Sequence, residues 1–153
     1  MGLFGGKGDS SGGMKPGFRD FKWGDLPTPR MEVLDDHAES KFCWIPADDL
    51  TWCDAPVDKI VYEFWENRFA EVLIEIPAHA AEKILKDLNS SWGKPEQPNK
   101  FIEDFVWHNK AVGPEATTAV FSRNPSTRGA TLRILSGYIQ TKKMLARGHP
   151  PAR

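Results

Sequence analysis

The stretch "VDKIVYEFWENRFAEVLIEIP", Val57 to Pro77, decides the fold. Ile60, Tyr62 and Phe64 alternate with Lys59, Glu63 and Trp65. After Glu66, Asn67 and Arg68, the residues Ala70, Val72, Ile74 and Ile76 alternate with Glu71, Leu73 and Glu75. A period of two on both sides of a polar break predicts a β-hairpin with one buried face. The opposite face is mixed, because Val61, Trp65, Phe69 and Leu73 share it with Lys59, Glu63, Glu71 and Glu75. These four apolar residues form a candidate interface, to be covered either by N-terminal segments or by a partner surface.

Downstream the period changes. Ala81, Ile84, Leu85, Leu88 and Trp92 follow helical spacing, with Glu82, Lys83, Lys86 and Asp87 on the other side, which predicts an amphipathic helix over Ala78 to Trp92. Gly93 and Pro95 end it. Three alternating runs follow: "KFIEDFVWHN" with Phe101, Phe105 and Trp107 on one side, "TTAVFSR" with Val120, and "GATLRILS" with Leu132 and Ile134. A last helix is expected from Gly137 to Arg147, with Tyr138, Ile139 and Leu145 inward and Lys142, Lys143 and Arg147 outward. Upstream, "GFRDFKWGD" reads as an edge strand or extended arm, and "RMEVLDD" and "SKFCWIP" as two short strands around a turn. Only one connection between strands is helical, so the pattern is α+β: a curled, mostly antiparallel sheet on one central amphipathic helix, with a C-terminal helix.

Several of these segments, "GFRDFKWGD", the hairpin, a helix closing in "WGKP" and a short strand ending in Trp before a final β pair, resemble a group of small uncharacterised bacterial α+β domains. Members of that group often begin with "GFRG-aliphatic-x-WG" and close the helix with "YGKP". The resemblance covers roughly Gly17 to Ser136 and implies the fold; it brings no catalytic residues with it.

With 153 residues and 40% hydrophobic content the chain can bury one sizeable core. The expected organisation is a Gly/Ser-rich flexible leader over 1–16, a single domain over 17–147 and a short tail over 148–153. The N-terminus lacks the basic and apolar regions of a secretory signal, a myristoylation signal wants Ser or Thr where Gly6 stands, and no stretch is long and apolar enough to span a bilayer, so a cytoplasmic location is expected. The net charge of −1 hides an asymmetry: residues 1–115 carry 13 Lys and Arg against 21 Asp and Glu, whereas 116–153 carry seven Lys and Arg and no acid. Arg123, Arg128, Arg133, Lys142, Lys143 and Arg147 are therefore candidate anion contacts, for nucleic acid or an acidic partner, unless they neutralise their own domain.

The chemistry-bearing residues are sparse. Cys43 and Cys53 in "FCWIPADDLTWCD" lack metal-ligand spacing, and a reducing compartment argues against a disulfide; two strands joined by a "PADD" turn account for the stretch, with Asp48 and Asp49 as solvated turn residues. The pairs Asp35–Asp36 and Asp48–Asp49 point opposite ways on extended chain and do not converge on a substrate. His37, His79, His108 and His149 lie in unrelated contexts, and no nucleophile elbow or phosphate loop is present. No cofactor and no metal is expected. The leading expectation is a non-catalytic protein-interaction or accessory module, docking a protein partner or a second copy of itself. The alternatives are a small-ligand binder with an aromatic cavity of Trp44, Trp52, Phe105 and Trp107, nucleic-acid binding by the basic end, and an enzyme using acids such as Asp48, Asp54 or Glu103.

Overall fold

A computed structural model describes residues 13–148. Seven strands form one sheet in the order β3-β4-β7-β8-β11-β10-β9, antiparallel in every pairing. They are β3 (Glu32–His37), β4 (Ser40–Trp44), β7 (Lys59–Trp65), β8 (Arg68–Ile76), β9 (Asp104–His108), β10 (Thr117–Arg123) and β11 (Ala130–Ser136). Two small hairpins, β1 (Gly17–Phe18) with β2 (Phe21–Lys22) and β5 (Thr51–Trp52) with β6 (Ala55–Pro56), lie outside this sheet. The helices are α1 (Ala78–Trp92) and α2 (Gly137–Ala146). The α+β architecture with a mostly antiparallel sheet is the one read from the sequence.

The β7–β8 hairpin closes on Glu66 and Asn67, both with positive φ, in the two-residue turn whose twist suits the flanking strands. One face of the sheet, with Ile60, Tyr62, Phe64, Val72, Ile74, Leu132, Ile134 and Phe121, packs against Ala80, Ala81, Ile84, Leu85 and Leu88 of α1 and against Phe18 and Phe21 of the first small hairpin. Gly93, at φ 90°, ends α1, and its carbonyl accepts a 2.9 Å bond from Trp107 Nε1. Gly17 is required where it stands: a Cβ there sits 2.1 Å from the Phe21 carbonyl oxygen. Met14 is already buried in this core, so the packed structure begins before Gly17; the rest of the expected leader, residues 1–12, and the tail beyond Gly148 lie outside the described residues.

In the β7–β8 hairpin the alternation rule fails at one place, with a large consequence. Glu63 pairs with Glu71 but Phe64 pairs with Phe69, leaving Ala70 as an extra residue in β8. This bulge reverses the facing of what precedes it. Phe69, expected on the mixed face with Leu73, is fully buried among Phe21, Trp23, Tyr62 and Phe64 on the α1 side. Its backbone also bonds outward, its N–H to Asp25 O and its carbonyl to Gly24 N–H, which ties the N-terminal segment to the hairpin.

On the opposite face α2 buries Ile139 against Trp65 and Ala70. Lys143 also points inward, donating a 2.7 Å bond to Glu63 Oε2, which accepts a second bond of 2.6 Å from Ser40 Oγ. Tyr138 and Leu145, expected inward, are exposed. The side chain of Ser136 starts α2 by accepting from Ile139 N–H. Two further corrections concern the last strands. Ala119 and Phe121 rather than Val120 face the core, and Phe101 precedes β9 and is exposed.

Candidate docking site at a free sheet edge

The two edges of the sheet differ. At the β9 edge, Glu96 bridges Val106 through two backbone bonds of 2.8 and 2.9 Å and closes the middle of the strand. At the other edge all six residues of β3 are exposed, and among the described residues nothing pairs with its outer side. The register slips between Val33 and Asp35, so Leu34 is an extra residue that disturbs the ladder.

Beside this edge the chain leaves apolar surface in the open. Val33, Leu34, Trp44 and Leu50 are between 38 and 52% exposed. Leu34, Trp44, Ile45, Pro46, Leu50 and Ile60 line a groove of about 290 Å³, in which Asp48, Asp58 and Lys59 are the charged members. The cause is local. β4 ends at Trp44, Ile45 turns into the core, and Pro46 and Leu50 of the following loop join Trp44 in the groove wall. β4 and β5 accordingly do not pair: β4 lies between β3 and β7, and β5 pairs with β6. Asp48 is no solvated turn residue either. It accepts a 2.7 Å bond from Tyr62 Oη and a 2.9 Å bond from Arg19, which fixes this loop to the core.

Of the candidate interface, only Val61 and Leu73 remain half-exposed, as a cross-strand pair; Trp65 lies under α2 and Phe69 in the core. The candidate aromatic pocket is not assembled. Trp52, Trp92 and Trp107 form a chain of ring contacts at 6.1 and 5.5 Å, and Phe105 packs on Phe121, all on the α1 side of the sheet, while Trp44 stands apart in the edge groove. The basic stripe is largely consumed within the chain. Arg123 pairs with Glu82 and Glu103, Arg128 with Glu103 at 2.7 Å, Arg133 with Glu71 in a two-point contact, and Lys143 with Glu63. The Arg128 hydrogen bond holds the Glu103 carboxyl below the usual carboxylate range, and the Glu71 hydrogen bond pushes the Arg133 guanidinium up. Lys142 and Arg147 stay exposed, and Lys142 sits 4.9 Å over the Tyr138 ring. Sequence periodicity does not reveal the edge groove; its signal is an apolar triple, Val33, Leu34 and Trp44, on two short strands whose place in the sheet order the sequence leaves open.

Both cysteines are free thiols. Burial pushes both up, Cys53 to about 11, with the Asp87 carboxylate adding to the effect. Because the folded state holds these protons more tightly than the unfolded state, the associated stability is complete below about pH 9 and is lost as the pH rises towards 11. Native protein at pH 8 is therefore expected to resist iodoacetamide, with Cys53 labelling climbing steeply above pH 10, as read by intact mass. Labelling of Cys53 at pH 8 at the rate of the urea-unfolded chain contradicts this.

No three His, Cys, Asp or Glu side chains among the described residues are grouped to hold a metal ion, and no helix among them is long and apolar enough to cross a membrane. No protein-family model matches the chain, and neither a curated protein nor a solved structure matches it.

Proposed function

We propose that this chain is a non-catalytic protein-interaction module that docks a segment of another polypeptide along β3, with one large apolar side chain of that segment entering the Leu34–Trp44–Leu50 groove. The observation that carries the reading is the coincidence of a terminal strand, exposed at every residue and without a described partner on its outer edge, with an apolar groove of about 290 Å³ at its side. Strand addition supplies affinity through main-chain bonds, and the groove supplies selectivity for the residue it receives. The saturated state of Asp48 and Glu103, each held by arginine, fits structural rather than catalytic acids. The proposed setting is the cytoplasm, with which two free thiols are compatible.

Selection from a random peptide library on the immobilised chain tests the reading. Selected peptides are expected to lose at least about tenfold in affinity for Trp44→Ala and for Leu34→Glu, the usual effect of removing a central anchor, and to keep their affinity for Val112→Glu on a distant loop. Circular dichroism confirms that each variant is folded. Peptides that bind the Trp44 and Leu34 variants as well as the parent place the docking surface elsewhere.

A further inference from the structure

Resting on the docking reading above, we infer that the β3 edge selects a basic extended segment, one in which lysine or arginine flanks the apolar anchor, and selects against a second copy of this chain. Three of the six β3 residues are acids, Glu32, Asp35 and Asp36, and Glu39 follows in the turn. Among the described residues none of these four is in an ion pair, whereas Glu63, Glu71, Glu82 and Glu103 elsewhere on the molecule each meet a cation. The open edge thus carries four carboxylates outside any described ion pair, with Lys41, opposite Asp36 on β4, as the cation that the β3–β4 ladder sets against them.

An added strand runs about 4.8 Å from its neighbour, so its side chains stand beside those of β3 along the whole contact. A second copy brings three more carboxylates to the edge and no lysine or arginine on β3 to meet them, and wherever two carboxylates stand directly opposite they repel. A neutral strand leaves the acids partly desolvated without partners. A lysine- or arginine-bearing strand meets them with opposite charge, each exposed pair adding a small increment of affinity. The bulge at Leu34 sharpens the choice. It interrupts at one point the flat ladder that indiscriminate edge pairing needs, so side-chain recognition adds selectivity to the main-chain bonds here. Charge and groove act at different points, which lets them be separated by experiment.

Three labelled peptides of one length, alternating Leu or Val with Lys and Arg, with Gln, or with Glu, are titrated against the full chain by fluorescence polarisation. The basic peptide is expected to bind about tenfold tighter than the Gln peptide, the sum of three such pairs. The Glu peptide is expected not to bind, and 0.5 M salt is expected to compress the difference. In Asp35→Lys/Asp36→Lys the order of basic and acidic peptides reverses while the Gln peptide is unchanged. Equal binding of basic and Gln peptides overturns the inference and leaves the docking reading standing. A dimer in sedimentation equilibrium that is lost in Leu34→Glu also overturns it, naming a second copy as the occupant. A monomer that binds no peptide removes inference and docking reading together.

Discussion

Phe69→Ala is expected to destabilise the chain by about 3–5 kcal/mol, the loss typical of a fully buried phenylalanine. The ring touches Phe21, Trp23, Tyr62 and Phe64, with centroids between 4.9 and 6.0 Å, and no part of it reaches solvent. Removing it opens a cavity between the β7–β8 hairpin and the N-terminal segment, and the Gly24 and Asp25 backbone bonds lose the packing that holds them in register. Urea unfolding followed by circular dichroism measures the loss. Since a domain of this size has about 5–15 kcal/mol in total, the variant is expected near the limit of folding at 37 °C. A change below about 1 kcal/mol means that Phe69 lies on the outer face of the sheet after all.

The second large effect belongs to the ion pair under α2. Glu63 and Glu71 stand directly opposite each other on β7 and β8, an arrangement that is unfavourable unless each carboxylate meets its own cation. Lys143 serves Glu63 and Arg133 serves Glu71. Lys143→Met strands a buried carboxylate beside a second one and is expected to destabilise by about 3–5 kcal/mol, whereas Lys143→Met/Glu63→Met is expected to recover most of the loss, because two apolar groups of similar volume need no partner. A double-mutant cycle in urea gives the coupling directly. Single-variant losses that simply add place Lys143 in solvent. The pair does more than stabilise: α2 buries little apolar surface beyond Ile139, so this contact fixes where the helix lies on the sheet.

Much of the architecture was legible because it rests on long, regular periods. The β7–β8 hairpin and α1 each carry their period over many residues, the hairpin interrupted only at Ala70, and Gly93 and Pro95 mark the end of α1. What escaped was local. An inserted residue such as Ala70 has no signature of its own in "RFAEV", yet it moves Phe69 from one side of the sheet to the other. A lysine on a helix reads as solvated, and Lys143 is inward only because Glu63 waits for it. Within "PADD", Asp48 reads as a turn residue, since no periodicity links it to Tyr62 or Arg19. The candidate site was less legible still, because an open edge is a property of sheet order: Leu34 and Trp44 became a surface only when β3 proved to be terminal. The basic residues illustrate the converse, a cluster in sequence that pairing within the fold disperses.

The short bridge from Glu96 to Val106 bears on how many molecules can assemble. Fibrous growth by strand stacking needs two receptive termini per subunit, one to be joined and one to join the next. Here one terminus is stoppered at its middle, so the docking proposed for the other is expected to stop after a single event and to yield a discrete complex.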